Sequence, residues 1–179
     1  MGVVLANGIA GLDAGGFAAH GFLGADLGRL GFGAFVNAAE LSRRDEDPWG
    51  GHTECFTTLT VGPAIVVHDI LWTRPTDMKV ARRVLDLSAH VGPSYTWVDG
   101  DPADSLPDGT SGPGVSGGVR LEWGLTSIGL WASVDDTYAW VSRAGKAAPD
   151  VAGGTATPAA SYSGNVITLT FGIMVGLEK

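Results

Sequence analysis

Residues 119–143 read VRLEWGLTSIGLWASVDDTYAWVSR, and this stretch decides the fold class. It contains three runs rich in apolar, β-branched and aromatic residues, namely VRLEWGL, IGLWASV and TYAWVSR. Such runs are typical of β strands. The last two runs are separated by Asp135-Asp136, so the stretch predicts three consecutive strands of an antiparallel meander.

Four further segments have strand-like composition, and turn residues bound most of them. Gly62-Pro63 is expected to close the first of these strands, and Pro75 follows the second. Six or seven short strands with long polar loops predict an all-β protein, either a β-sandwich of jelly-roll type or a small barrel. The four segments are Thr53–Val61, Ala64–Trp72, Ser94–Val98 and Asn165–Val175.

In residues 76–89 the apolar residues recur with the spacing of a helix and not of a strand, which predicts one short helix. Val80, Val84 and Leu87 fall on one helical stripe, and Thr76 is a suitable N-cap. Gly92-Pro93 follows shortly and cannot continue a helix.

The first forty residues, MGVVLANGIAGLDAGGFAAHGFLGADLGRLGFGAFVNAAE, do not resemble the start of an ordinary domain. Glycine weakens helices and strands by about 0.5–1 kcal/mol per site relative to alanine. The segment is nevertheless too apolar for a disordered tail. We therefore predict an N-terminal interaction arm over residues 1–41 and one β-rich domain over residues 42–179. Four phenylalanines are expected to dock on neighbouring subunits: Phe17, Phe22, Phe32 and Phe35.

Two segments rich in Gly, Pro, Ala and small polar residues, 99–118 and 144–164, are predicted to be long loops. The first contains Asp99, Asp101 and Asp104, whose carboxylates are suitable ligands for Ca²⁺ or Mg²⁺. The spacing fails the EF-hand pattern because Ala103 stands where a ligand is required. We expect at most weak binding of a divalent metal at this loop.

No set of residues predicts catalysis or a cofactor. Residues 114–118 spell G-V-S-G-G, but the nucleophile elbow that this imitates needs its histidine after the serine. All four histidines precede the serine. The single cysteine, Cys55, lies among apolar residues and is interpreted as a buried, inert thiol. The protein is therefore predicted not to be an enzyme and to bind no cofactor.

The composition argues against one class of partner and favours another. The net charge of −8 argues against a direct, sequence-specific nucleic-acid binder, which needs a basic surface. Hydrophobic residues make up 45% of the 179 residues and charged residues only 17%, which favours a homo-oligomer. We expect no secretory signal, because the start lacks a basic region followed by a clean apolar run. We also expect no transmembrane span, because no apolar run reaches about 18 residues.

The organisation of the chain resembles that of small β-sandwich virion proteins, whose arms tie subunits together. This resemblance implies a structural protein located in the virion, most simply a capsid-shell or capsid-decorating subunit that contacts itself and other virion proteins. A phage tail-tube subunit is an alternative. A second alternative is an extracellular carbohydrate- or surface-binding β-sandwich module that uses Trp97, Trp123 or Trp131.

Overall fold

The computed structural model describes residues 2–7, 14–45, 52–68, 70, 86–100, 109–125, 128–143 and 159–175. Every regular element among them is a β strand, and no helix occurs in these ranges. The strands are β1 (Gly2–Asn7), β2 (Ala14–Leu27), β3 (Leu30–Asp45), β4 (His52–Val67), β5 (Asp86–Gly100), β6 (Thr110–Leu125), β7 (Ile128–Arg143) and β8 (Ala160–Val175).

The strands form a closed barrel in which each pairs antiparallel with the next and β8 pairs with β1. A path that starts at Gly2 and steps from each residue to its partner on the next strand ends at Ala160 on β8. Across the β1–β8 contact, however, Gly2 pairs with Thr170. This displacement of ten residues over eight strands sets a strand tilt of about 40°, and the resulting barrel is just wide enough for side chains to fill it.

The two ends of the barrel differ in their connections. At one end, here the turn end, the two-residue segments 28–29 and 126–127 and the longer segment 68–85 join the strands. Gly28 has a φ of 77°, which the tight turn between β2 and β3 requires. At the other end, here the loop end, the connections are residues 8–13, 46–51, 101–109 and 144–159.

Alternate side chains face the interior, and many of them are small. A Cβ added to Gly112 would overlap the carbonyl oxygen of Trp140, and one added to Gly92 would overlap that of Pro63. Glycine therefore allows close strand approach at these points. The main apolar cluster of the interior lies in the half nearest the loop end. It comprises Ala18, Ala39, Leu41, Phe56, Val98, Ala139, Val141 and Val166, with Tyr162 packed against it.

The predicted arm is part of the barrel. Residues 2–7, 14–27 and 30–45 form its first three strands, and the boundary proposed at residue 41 falls inside β3. The segment pairs well despite its glycines because β3 pairs with β4 along its whole length and with β2 over thirteen residues, while β2 also pairs with β1 at Ala14–Ala18. Low intrinsic propensity is overridden by this pairing.

Three other expectations about elements need correction. Most of the predicted helix, residues 76–85, lies outside the described residues, and Asp86–Ala89 form the start of β5. Residues 110–118 and 160–164, predicted to be loop, belong to β6 and β8. The two predicted strands on either side of Asp135-Asp136 are one strand, β7.

The prediction of an all-β protein is confirmed, and of the two architectures considered the sheet forms a barrel and not a β-sandwich. Closure accounts for the difference. A sandwich packs two inner faces against each other, whereas here one sheet curls until its first and last strands pair.

Candidate functional site

The outer surface of the barrel is strongly apolar. On β6 the outward residues between the rims include Val115, Val119, Leu121 and Trp123, all between 41% and 58% exposed. Exposure is larger still at Leu23 (83%) on β2. Monomeric soluble proteins rarely expose contiguous apolar patches beyond a few hundred Å². Further large exposed apolar side chains are Phe17 and Leu27 on β2, and Val91, Leu130, Leu169, Phe171 and Ile173 on other strands.

An aromatic band borders this surface near the loop end. Tyr95 and Trp97 on β5 have ring centroids 4.7 Å apart, and Tyr138 and Trp140 on β7 have centroids 4.8 Å apart. Closer to the loop end the outward side chains become polar, as at Ser111, and those of Asp99, Ser142 and Ser161 are exposed. The outer face thus passes from an apolar belt through aromatic residues to a polar rim.

The interior contains a buried polar layer centred on Asp135. His90 Nε2 lies 3.2 Å from Asp135 Oδ1, and Ser133 Oγ donates to Asp135 Oδ2 at 2.7 Å. His20 Nδ1 lies 3.9 Å from Asp135 Oδ2 and 2.6 Å from Asn37 Oδ1. These side chains come from β2, β3, β5 and β7, so the layer crosses the barrel.

A second set of interior contacts extends this layer toward the turn end. The guanidinium of Arg120 lies over the Trp131 ring at 4.6 Å, and its Nη1 is 3.4 Å from Glu122 Oε1. His68 Nδ1 lies 3.5 Å from Asp86 Oδ2. A cavity of about 30 Å³ is lined by His20, His90, Arg120, Asp135 and their neighbours, which is room for only one or two waters.

Hydroxyl pairs complete the inner surface. Thr60 pairs with Thr96 at 2.9 Å, Ser116 with Thr137 at 2.7 Å, and Ser133 with Thr170 at 2.7 Å. Buried polar groups need such partners because leaving one unpaired costs about 1–3 kcal/mol. The barrel is therefore inverted relative to a water-soluble one, with polar side chains inside and apolar side chains outside.

The four phenylalanines predicted to form an interaction surface do not share one environment. Phe17 and Phe32 face outward and are exposed, at 78% and 51%. Phe35 is buried in the interior at 3%, and the Phe22 ring lies inside near Arg120. Only the first two are placed to contact anything outside the barrel, and that they bind a partner stays a prediction.

The predicted metal loop is described only in part. Asp99 is the next-to-last residue of β5 and has an exposed side chain, whereas Asp101 and Asp104 lie outside the described residues. No group of three His, Cys, Asp or Glu residues in the described ranges is placed to hold a metal ion. Weak binding of a divalent metal by this loop therefore stays a prediction.

Two further interpretations change. Cys55 is exposed, so the buried thiol was a wrong prediction; it lies on β4 beside the loop end, on the outward side. Trp97, Trp123 and Trp140 face outward, at 43%, 58% and 51% exposure, whereas Trp131 contacts Arg120 inside.

Sequence reasoning missed His20, His90 and Asp135, although a signal for Asp135 was present. From Trp131 to Val141 the odd-numbered residues of β7 face the interior and the even-numbered ones face outward. Read with this period of two, TYAWVSR continues IGLWASV without a break, and Asp135 falls on the inner face. An inner face with polar residues opposite an apolar outer face was the signal.

Comparisons with known proteins give a fold and no family. No family model matches the chain, and no curated protein sequence matches it significantly. The crystal structure of Neisserial surface protein A is similar, with a TM-score of 0.61 and 12% identity over 98% of this chain and 92% of that one. The strand pairing and this likeness agree on the barrel fold.

The prediction of a virion structural protein located in the virion is wrong. The similar structure belongs to a neisserial surface protein, and the fold is not the β-sandwich on which the capsid reading depended. Among the alternatives, a surface-binding role is more compatible with this likeness. Of the described residues, none forms a helix long and apolar enough to cross a membrane.

Proposed function

We propose that this protein is a β-barrel protein of a bacterial outer membrane. The observation that carries the proposal is the inverted polarity of the barrel, with an apolar belt outside and a buried polar layer inside. Barrels of bacterial outer membranes have an even number of antiparallel strands, aromatic residues at the interfaces and alternating apolar-out, polar-in side chains.

The hydrogen-bonding of the backbone supports the same proposal. A bilayer core offers no water to unpaired N–H and C=O groups, so only helices and closed barrels cross it. Here the first and last strands pair through six residue pairs from Gly2–Thr170 to Asn7–Asn165, which closes the sheet into a barrel over this length. Seven of the eight strands, β2 to β8, have 14 to 16 residues and exceed the 9–11 residues or so that a tilted transmembrane strand needs, whereas β1 has six.

The packed interior favours a structural or surface-contact role over a diffusion pore. Porins with water-filled channels need about 16–18 strands, whereas eight strands leave an interior that side chains fill. The predictions that the protein is not an enzyme and that copies associate with one another are kept as parts of this proposal. The segments at the loop end would make the contacts outside the cell.

The loop end is assigned to the cell exterior. Outer-membrane barrels have short turns on the periplasmic side and longer loops outside. Two of the three connections at the turn end are two residues long, whereas those at the loop end run from six residues (8–13) to sixteen (144–159). The connection over residues 68–85 is the exception.

Refolding tests the proposal directly. Diluted from denaturant into phosphatidylcholine vesicles, the chain should gain β circular dichroism, float with the lipid and resist protease in its strands. Unboiled, it should also migrate on a denaturing gel at a position different from the boiled sample. A soluble, folded monomer in buffer without lipid or detergent would refute the proposal.

Cys55 provides a native test of the orientation, because it is the one cysteine of the chain and is exposed beside the loop end. We expect a membrane-impermeant maleimide to label it on intact cells. As a control, Arg29→Cys in a Cys55→Ser background places the thiol in the turn between β2 and β3. That thiol should react only after the outer membrane is permeabilised, and the reverse pattern would invert the assignment.

A further inference from the structure

A hydrogen-bonded polar pair interrupts the apolar belt near its middle. Asp136 is exposed on the outer face halfway along β7, where it is paired with Gly117 of β6 and Ile167 of β8. Asn165 on β8 contacts its carboxylate, and Nδ2 donates to Oδ1 at 2.9 Å and to Oδ2 at 2.8 Å. Under the proposed membrane location, lipid chains surround this pair, and an ionisable residue inside a membrane is a candidate functional group.

The pair has hydrogen-bonding capacity that the barrel itself does not use. The two carboxylate oxygens lie in nearly the same direction from the Asn165 nitrogen, whereas its two N–H bonds diverge. One N–H therefore serves both oxygens, and the second is left for another acceptor. The Asp136 carboxylate accepts about four hydrogen bonds, and no other side chain that the structure describes donates to it. Lipid chains supply neither donor nor acceptor, so both groups favour a protein partner.

The two side chains lie on one line parallel to the barrel axis. With a strand tilt of about 40°, a row of paired residues rises about 3 Å toward the loop end with each strand from β1 to β8. One step from Asp136 across to Ile167 and two residues along β8 to Asn165 thus lead about 8 Å toward the loop end and less than about 1 Å sideways. Asn165 is therefore almost directly above Asp136 along the membrane normal.

The surface beside Asp136 allows another barrel to approach closely. Gly117, its partner on β6, has no side chain, and the apolar side chains on either side, Val115 and Ile167, are 49% and 40% exposed. Association within a bilayer depends on close packing and on hydrogen bonds between the chains, because apolar side chains gain little by leaving lipid. Both features are present at this point.

The pair is complementary to itself. Two copies that insert in the same direction are related by a twofold axis parallel to the membrane normal. An axis beside the line through Asp136 and Asn165 places both residues of one copy opposite the same residues of the other, at equal depth. The unused N–H of each Asn165 then donates to the Asp136 carboxylate of the second copy, so the contact contains the same hydrogen bond twice.

We propose that Asp136 and Asn165 form the contact point of a dimer of this barrel within the membrane. The inference rests on the proposed membrane location. It deepens the expected self-association, because it names the face through which the copies meet. The reciprocal hydrogen bonds lie across the twofold axis, and Gly117 lets the two β7 strands approach.

The dimer should be sensitive to pH. Two facing carboxylates repel each other unless they share a proton, in which case an O–H of one donates to the other. The described residues packed around Asp136 on the outer face, Gly117, Asn165 and Ile167, carry no charge, and the adjacent Asp135 faces the interior. We therefore expect the two copies to associate more strongly in acid than at neutral pH.

The test uses the full chain in phosphatidylcholine vesicles over a range of protein-to-lipid ratios. Energy transfer between dyes on Cys55, the one cysteine of the chain and an exposed one, reports association. Asp136→Val and Asn165→Val should each lower the association constant roughly tenfold, the size expected for two lost hydrogen bonds in a membrane. Valine suits a lipid-facing strand, so β circular dichroism should be unchanged. As a control, Glu40→Val removes an exposed carboxylate four strands away on β3 and should leave association unchanged.

Asp136→Asn isolates the shared proton, because the amide still forms hydrogen bonds but does not titrate. This variant should associate equally in acid and at neutral pH. A wild type that inserts but stays monomeric at every ratio would overturn the proposal, and the pair would then belong to a different membrane protein. Association that both valine variants retain in full would also overturn it. A chain that does not insert into the vesicles would refute the membrane location and the dimer with it.

Discussion

Val119→Arg should destabilise the lipid-embedded barrel by about 2–4 kcal/mol, the cost of a cationic side chain near the middle of a bilayer. Val119 faces outward on β6, is 48% exposed, and is paired with Ala89 on one side and Val134 on the other. The nearest described outward carboxylate, Asp136, is paired with Gly117, two residues from Val119 on β6, so this variant and its control are both made in an Asp136→Asn background. Guanidinium unfolding from phosphatidylcholine vesicles measures the difference, which approaches the whole stability of a marginal domain.

Ser111→Arg on the same strand is the matched control. Ser111 also faces outward, but it lies at the polar rim beyond Pro113, where the same charge should cost about 0–1 kcal/mol. The difference between the costs of arginine at the two sites shows whether the outer face lies in lipid or in water. A water-exposed surface would tolerate both substitutions within about 0.5 kcal/mol, and two small effects of equal size would contradict the membrane proposal.

The sequence was sufficient for the fold class, and the strands of the C-terminal half were recognisable in it. TYAWVSR, IGLWASV and the closing strand have the β-branched and aromatic composition that strands favour. Their continuity was missed because Asp135-Asp136 was interpreted as a break. In a barrel with a polar interior, one of two adjacent carboxylates can face inward to His90 and the other outward to Asn165.

The N-terminal strands could not be recognised from strand propensity. Glycine and alanine are frequent in β2 and β3, yet Gly16, Ala18, Gly33 and Ala39 face a narrow interior that has room only for small side chains.

Gly62-Pro63, interpreted as the end of a strand, was equally misleading. Pro63 and Pro93 both face outward, and the pairing of β4 with β5 skips the positions around them, so neither strand ends there. These features depend on closure of the sheet into a barrel, which cannot be recognised from a local sequence pattern.

The candidate site was beyond local reasoning for a related reason. The polar layer joins His20, Asn37, His90 and Asp135, which are far apart in sequence and meet only across the closed barrel. Apolar composition was noticed, but it was assigned to contacts between subunits. Under the membrane proposal, alternation over whole strands is what distinguishes a lipid-facing belt from such an interface, because a belt would surround the barrel whereas an interface would occupy one side.

Phe56→Ala should cost about 3–5 kcal/mol, because a buried aromatic truncation loses the transfer energy of the ring and leaves a cavity. Phe56 is 2% exposed and packs in the apolar cluster at the loop end with Leu41, Val98 and Val141. The interior toward the turn end is mostly polar, so this cluster is the main apolar contact between opposite walls. Unfolding from phosphatidylcholine vesicles should show the loss as a lower denaturant midpoint.

Phe171→Ala is the matched control for this substitution. Phe171 faces outward and is 61% exposed, so lipid chains can close around the shortened side chain and no cavity remains. We expect a loss of about 1–2 kcal/mol from the transfer term alone. If the two variants lost the same amount, water or lipid would have to fill the space left by Phe56. The loop end of the interior would then be open, and the assignment of a packed, non-porin barrel would fail.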